Sequence, residues 1–291
     1  MTRHDRQIDA EAAGGGASSS NRITAIHLDD VPIERMEERD GWAISEFRLP
    51  VSGRHGSETT AFHSIFRPGS THAKHLHHSC DEIAVYLKGH GVVGQGNSRA
   101  ELGAGHCRLM PRGSEHFYFN ETTNEDAVVV GFYVAAANLA TSGYEYRGHV
   151  LPADLEMPRS GLNEGILVRL QDIDPLNIGS LKAYSSVDVR LPIGRHNGSS
   201  NALIQLSIGP GRELGEHLLA RCQQLYFLVE GAGVVRSGEK QIHVRKGHFI
   251  LVPKQTSFGL QNAESTMALE AVGVLTGAGS LAEAGYSDTG L

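Results

Sequence analysis

Residues 69–89 read GSTHAKHLHHSCDEIAVYLKG. This stretch holds His75, His77 and Glu82, three side chains that bind divalent metals well. A fourth, His116, follows in GHCRLMPRGSEHFYFN, residues 105–120. Successive side chains of a strand alternate between faces, so His75 and His77 share one face while Leu76 points the other way. Glu82 follows a short turn and falls on the next strand, and His116 comes from a more distant one. Side chains from separate strands meet where a sheet closes on itself. The reading is one metal ion held by His75, His77, Glu82 and His116 inside a β-barrel.

Working outward, helix-period stretches are scarce. Short apolar runs punctuated by Gly, Pro, Asn and Asp dominate, and glycine numbers 35 of 291 residues. That pattern predicts an all-β sandwich or barrel. AFHSIFR (61–67) reads as a strand stopped by Pro68-Gly69, and VVVGFYVAA (128–136) as a strand buried on both faces. The length suits two domains of ordinary size. EAAGGGASSSN has almost nothing apolar to bury, so residues 1–22 read as a disordered tail. Residues 23–150 read as a first barrel, 151–180 as a connection, 181–276 as a second barrel, and 277–291 as a frayed or briefly helical tail. Lys and Arg total 26 against 33 Asp and Glu, a net charge of −7. A mildly acidic chain without a basic block argues against nucleic acid as a partner. Three cysteines without a CxxC pair indicate neither a disulfide framework nor a zinc knuckle. With no signal-like leader and no apolar run of membrane-spanning length, the expectation is a cytoplasmic protein with no membrane partner.

The chain repeats itself at an offset of 142 residues. Pro68-Gly69 recurs as Pro210-Gly211, His75 as His217, Gly89 as Gly231, Gly105-His106 as Gly247-His248, Pro111 as Pro253 and Asn120 as Asn262. A constant offset means no net insertion between the matched positions, so the chain reads as a tandem duplication of one β-domain. The ligands do not repeat. His77 falls on Leu219, Glu82 on Gln224 and His116 on Phe258. Metal binding is therefore expected in the first copy alone. In the second, His217, Gln224, Arg190 and Arg195 either line a small ligand pocket or belong to a barrel kept for packing.

These residues resemble the cupin family. Its first motif is matched by Gly69, His75, His77, Glu82 and Gly89. Its second is matched by Gly105, Pro111, Gly113, His116 and Asn120, with His106 standing where an acidic turn residue is usual. The resemblance covers about residues 60–136 and 202–275. It implies an all-β chain of two tandem cupin-type (jelly-roll) β-barrels, a bicupin, with a metal-dependent activity and pairing into a homodimer. Three imidazoles and a carboxylate suit Fe(II) first, with Mn(II), Ni(II), Co(II) and Zn(II) as alternatives.

Around the ligands, His72 lies on the approach to the site as a general acid or base, a positioning group, or an ordinary loop histidine. Tyr86 and Tyr118 share the strand parity of Glu82 and His116, and each phenol either donates to a substrate oxygen or fills the barrel wall. His78 has the opposite parity to His77 and should face away. The leading function is a non-haem dioxygenase or oxygenase acting on a small-molecule substrate. The alternatives are a non-redox isomerase, decarboxylase, lyase or cyclase, and a non-catalytic binding bicupin.

Overall fold

The computed structural model describes residues 22–35, 42–158, 161–162 and 164–289, and the tail expected over residues 1–22 lies almost wholly outside them. The described chain is built of antiparallel strands in four sheets, two for each of two barrels. In the first barrel one sheet runs Ile166–Arg169, His106–Met110, Asp81–Lys88, Ala127–Val134, Thr60–Phe66, Glu46–Val51. The facing sheet runs Tyr144–Gly148, Thr71–His77, His116–Phe119, His90–Gln95, Ser98–Gly103. Spatial neighbours are mostly not sequence neighbours, which is the jelly-roll connection. The second barrel repeats this order, with Glu213–Leu219 in the place of Thr71–His77 and Gln223–Glu230 in that of Asp81–Lys88.

Three apolar layers hold the pair together. Phe47, Phe62, Phe66, Val129 and Tyr133 fill the first barrel. Ile204, Leu206, Tyr226, Ile250 and Phe258 fill the second. Between the barrels, Ile83, Val85, Val130 and Phe132 pack on Leu225, Phe227, Phe249 and Val272. Ala127–Val134 serves two layers at once, because Val129 and Tyr133 point into the barrel while Val130 and Phe132 face the other barrel. Its nearly unbroken apolar sequence follows from that double burial.

Two segments lie elsewhere than the sequence reading put them. Thr24–His27, assigned to the first barrel, pairs with His248–Val252 of the second. Ile166–Arg169, placed in the connection, pairs with His106–Met110 of the first. The two strands are 142 residues apart, so they are the same element of the two copies, each covering the exposed sheet edge of the other. The segment after Gly277 is not frayed. Ala278, Leu281 and Ala284 are buried in the second core, and Tyr286–Asp288 pairs with Glu213–Leu219. Its counterpart in the first copy is Tyr144–Gly148, which pairs with the ligand-bearing strand Thr71–His77.

Candidate metal centre

His75, His77, Glu82 and His116 converge as the sequence spacing requires. All four are buried, and one ligand atom from each lies within 4.8 Å of the others. The Nε2 atoms of His77 and His116 stand 3.2 and 3.3 Å from Glu82 Oε2, and that of His75 4.0 Å. Ligand atoms about 2.1 Å from one ion are separated by roughly 3 Å when adjacent and about 4 Å when opposite, so the spacing fits a single ion.

The protonation pattern makes the same point. His75 Nδ1 is 2.6 Å from the Ala73 carbonyl oxygen and His116 Nδ1 is 2.9 Å from that of Ser114. A carbonyl only accepts, so both rings carry their proton on Nδ1. His77 Nδ1 is 3.0 Å from Ser142 Oγ, and that hydroxyl gives its own proton to the Leu139 carbonyl at 2.7 Å. His77 is therefore also protonated on Nδ1. All three Nε2 lone pairs then face a carboxylate across a buried space, an arrangement that repels itself unless a cation sits between them. The Nε2 atoms of His75 and His77 have no hydrogen-bond partner. Burial, with His116 adding to it, drives His75 down to about 3, and burial lowers His116 too. Burial opposes ionisation of Glu82, and with the ring protons turned away on Nδ1 the positive partner its carboxylate needs is a bound cation. An ionised carboxylate among neutral imidazoles is the state a divalent ion binds.

The remaining predicted residues gather round the same cavity, which has a volume of about 30 Å³ and is lined by His72, Tyr86 and Tyr118 among others. His72 reaches it by an irregularity. His116 is opposite His75 and Tyr118 opposite His72, so three steps on one strand match two on the other. This bulge turns His72 to the face of His75, where the rings stack at 3.8 Å. The Tyr118 hydroxyl donates to the His90 carbonyl at 3.1 Å, so its ring forms wall while its proton is engaged. Tyr86 is pushed up to about 12 by burial, with the neighbouring Arg108 guanidinium opposing. His78 is exposed and meets Glu145 at 2.6 Å, facing away as its parity implied. His106 turns its ring onto the backbone of Gly103 and takes no part in the site.

Four contributors escaped the sequence reading: Ser142, Tyr144, Tyr133 and Arg108. Tyr144 packs its ring 5.3 Å from His75, and Tyr133 lies 4.8 Å from His77. A signal for the segment existed, because Leu139-Ala140 and Gly143-Tyr144 recur as Leu281-Ala282 and Gly285-Tyr286 at the same offset. Arg108 and Tyr133 sit in apolar strands and carry no motif.

Among the described residues the second barrel has no such centre. His217 donates to the Gly215 carbonyl at 2.9 Å through Nδ1, and its Nε2 accepts from the Tyr184 hydroxyl at 3.0 Å. Gln224 accepts from Tyr226. Arg190 reaches the Ile173 carbonyl and Gln205, and Arg195 is exposed and paired with Glu283. No hydrogen bond or ion pair joins these four residues to one another, each being engaged with other groups.

The fold and the site together define a metal-binding cupin of two barrels. Residues 62–133 match the family profile of the cupin domain, and the chain as a whole has the fold of two tandem cupin-type barrels. A stretch of 75 residues is 37% identical to oxalate oxidase GF-2.8 of Triticum aestivum, covering 23% of this chain and 34% of that protein. The match thus spans about a third of the curated relative. Among solved structures, the formate complex of Lactobacillus farciminis oxalate decarboxylase superposes with a TM-score of 0.68 at 13% identity, covering 91% of this chain and 88% of that one. A structure concerned with the Mn(II) centres of Bacillus subtilis oxalate decarboxylase gives 0.66 at 12% identity, over 88% and 77%. The 7S globulin of Momordica charantia gives 0.63 at 16% identity, over 87% and 84%. At these identities the likeness is one of fold.

Proposed function

We propose that the first barrel is the catalytic domain of a divalent-metal enzyme that oxidises a small organic substrate with O₂, as an oxygenase or oxidase. The observation that carries the metal reading is the convergence of three Nε2 lone pairs, each fixed by its own Nδ1 hydrogen bond, on the Glu82 carboxylate. A six-coordinate ion so held keeps about two positions open, and when bound it supplies Lewis acidity and, if Fe(II) or Mn(II), redox capacity. The local likeness to oxalate oxidases supports the oxidative reading, and Fe(II) and Mn(II) are the metals proposed. The protein's own part is positional. Glu82 offsets one positive charge, His72 stacks on a ligand ring, and Phe47, Phe62 and Phe66 keep the cavity apolar around the reacting group. A volume of about 30 Å³ admits roughly two water-sized groups, so substrates are small or enter by displacing wall side chains.

The test is metal analysis of the purified protein, followed by anaerobic loading with Fe(II) or Mn(II) and measurement of oxygen uptake with small organic acids, oxalate included. The expected result is one metal per chain, lost in Glu82→Ala, and substrate-dependent oxygen uptake. Full metal occupancy with substrate turnover but no oxygen consumption would replace the oxidative reading with a non-redox one.

A further inference from the structure

Arg108 is the unexplained group of the cavity. It is 1% exposed and is the largest fully buried side chain of the described residues. It belongs to His106–Met110, opposite Ala84 on the neighbouring strand, and lines the same cavity as the metal ligands. Its guanidinium donates to the Gly94 carbonyl at 3.0 Å and, more weakly, to the Phe117 carbonyl at 3.4 Å, while Nε donates to nothing. No carboxylate of the described residues pairs with it. The Tyr86 hydroxyl is its one side-chain hydrogen-bond partner, and the Glu82 carboxylate favours its charge from a distance without pairing with it. A buried guanidinium held by neutral oxygens alone is costly, and replacing such a group by a well-packed apolar one is often stabilising.

The second barrel makes that comparison internally. The residue 142 positions on is Ile250, fully buried in the same strand of the same fold. The jelly roll therefore closes at this point without an arginine. The charge accompanies the metal ligands: Glu82, His116 and Arg108 stand in the first copy where Gln224, Phe258 and Ile250 stand in the second.

Charge balance gives the arginine a partner. Among the described residues, Glu82 and Arg108 are the only carboxylate and guanidinium or ammonium side chains lining the cavity. Glu82 cancels one charge of a divalent ion and Arg108 restores it, leaving two uncompensated positive charges in a buried, largely apolar space. We propose that Arg108 is a specificity-determining residue that recognises an anionic oxygen group, so that the substrate is a small carboxylate and not a neutral alcohol, ketone or phenol. The guanidinium's unused Nε–H and its planar fork match a carboxylate edge, the pairing for which arginine is best suited. The inference rests on the metal-enzyme reading above and names the substrate class for that site.

The test uses the full chain loaded with Co(II), whose visible spectrum reports on its ligands, titrated with formate and with the isosteric neutral formamide. Wild type should bind formate at least about tenfold more tightly than formamide. Arg108→Gln, which keeps a donor for the Gly94 carbonyl, should take up Co(II) in full but lose about 10- to 100-fold in formate affinity, with formamide unchanged. Arg108→Lys should keep part of the preference, because it keeps the charge and loses the fork. Equal formate affinity in wild type and Arg108→Gln at equal Co(II) content overturns the proposal. So does a wild type that does not discriminate formate from formamide, a result needing no variant. A wild type that takes up no Co(II) overturns the metal reading itself, and is told apart by the metal content alone.

Discussion

At the scale of single residues, the site is set by what each imidazole does with the nitrogen that does not face Glu82. Two Nδ1 protons go to backbone carbonyls two residues away in sequence, Ala73 for His75 and Ser114 for His116. The third goes to a side chain, Ser142, which lies 65 residues from His77. That hydroxyl is the one orienting group a single substitution can remove, and the second copy has Ala284 in its place beside the apolar Leu219. Ser142→Ala should weaken metal affinity about 10- to 100-fold while leaving the fold intact, measured by competition with a chromophoric chelator. Ser142→Thr should restore most of it, because the hydroxyl returns. Unchanged affinity in the alanine variant would mean that His77 needs no external support. The four ligands themselves were legible in sequence because residue type and spacing both speak for them. Ser142 and Arg108 were not, since a serine in a loop and an arginine in a strand each have many ordinary uses. Only their contacts across the barrel tell what they do.

At the scale of elements, strand periodicity carried the reading of His75, His77 and His78, and one bulge limited it. Between His72 and His75 the strand Thr71–His77 gains a residue against its partner, and the second copy does the same between Leu214 and His217. Parity counted through such a bulge gives the wrong face for His72, and nothing in THAKH announces the extra residue. Turns were more legible. Gly69, Gly89 and Gly105 adopt φ of 78°, 79° and 85°, the left-handed region their positions at corners called for. Two corners break this rule. Gln255, the counterpart of Gly113, has φ 59°, and Ala135, the counterpart of Gly277, has φ 65°. Each copy thus shows that glycine serves where the other carries a strained residue. Ala135 is exposed, so Ala135→Gly relieves the strain without opening a cavity. It should raise stability by about 1 kcal/mol, part of the gain being offset by the greater freedom of glycine in the unfolded chain. Equilibrium urea unfolding measures it, and a fall in stability would show that the left-handed turn costs the alanine nothing.

At the scale of the whole molecule, the two copies are neither independent nor equivalent. Their facing sheets share one apolar layer, and His63 is buried against it with its ring 6.2 Å from Phe227. Burial, with the Arg48 guanidinium adding to it, drives the His63 pKa down to about 4. Between pH 6.5 and about 4 the unfolded chain therefore binds a proton at this residue that the folded chain refuses. Stability should fall as pH drops through that window, by up to about 3 kcal/mol from His63, and no further from this group below it. His63→Phe should flatten that part of the pH profile of thermal unfolding, and an unchanged slope would place the titrating group elsewhere. The exchange of first strands has a larger consequence. The duplication was legible because its landmarks keep one offset, whereas the exchange was not, since four-residue strands such as TAIH and ILVR carry no sign of which sheet they join. Thr24–His27 closes the edge at His248–Val252, with His27 reaching the Lys246 carbonyl at 3.1 Å and Ile23 buried in the second core. A chain beginning at Val31 should lose about 3 kcal/mol of stability in the second barrel, roughly the burial of one and a half isoleucine side chains, and expose a strand edge that invites self-association. The first barrel keeps its own cover, Ile166–Arg169, so metal content should stay at the wild-type level. Leu167→Pro with Val168→Pro, which stops Ile166–Arg169 from pairing with His106–Met110 while leaving both barrels in the chain, should reverse the pattern, loosening the strand that carries Arg108 and lowering metal retention. Denaturation, size-exclusion chromatography and metal analysis on the truncation and the proline variant decide the matter. Loss of metal from the N-terminal truncation, or its full retention in the proline variant, would show that each barrel stands on the strands next to it in sequence.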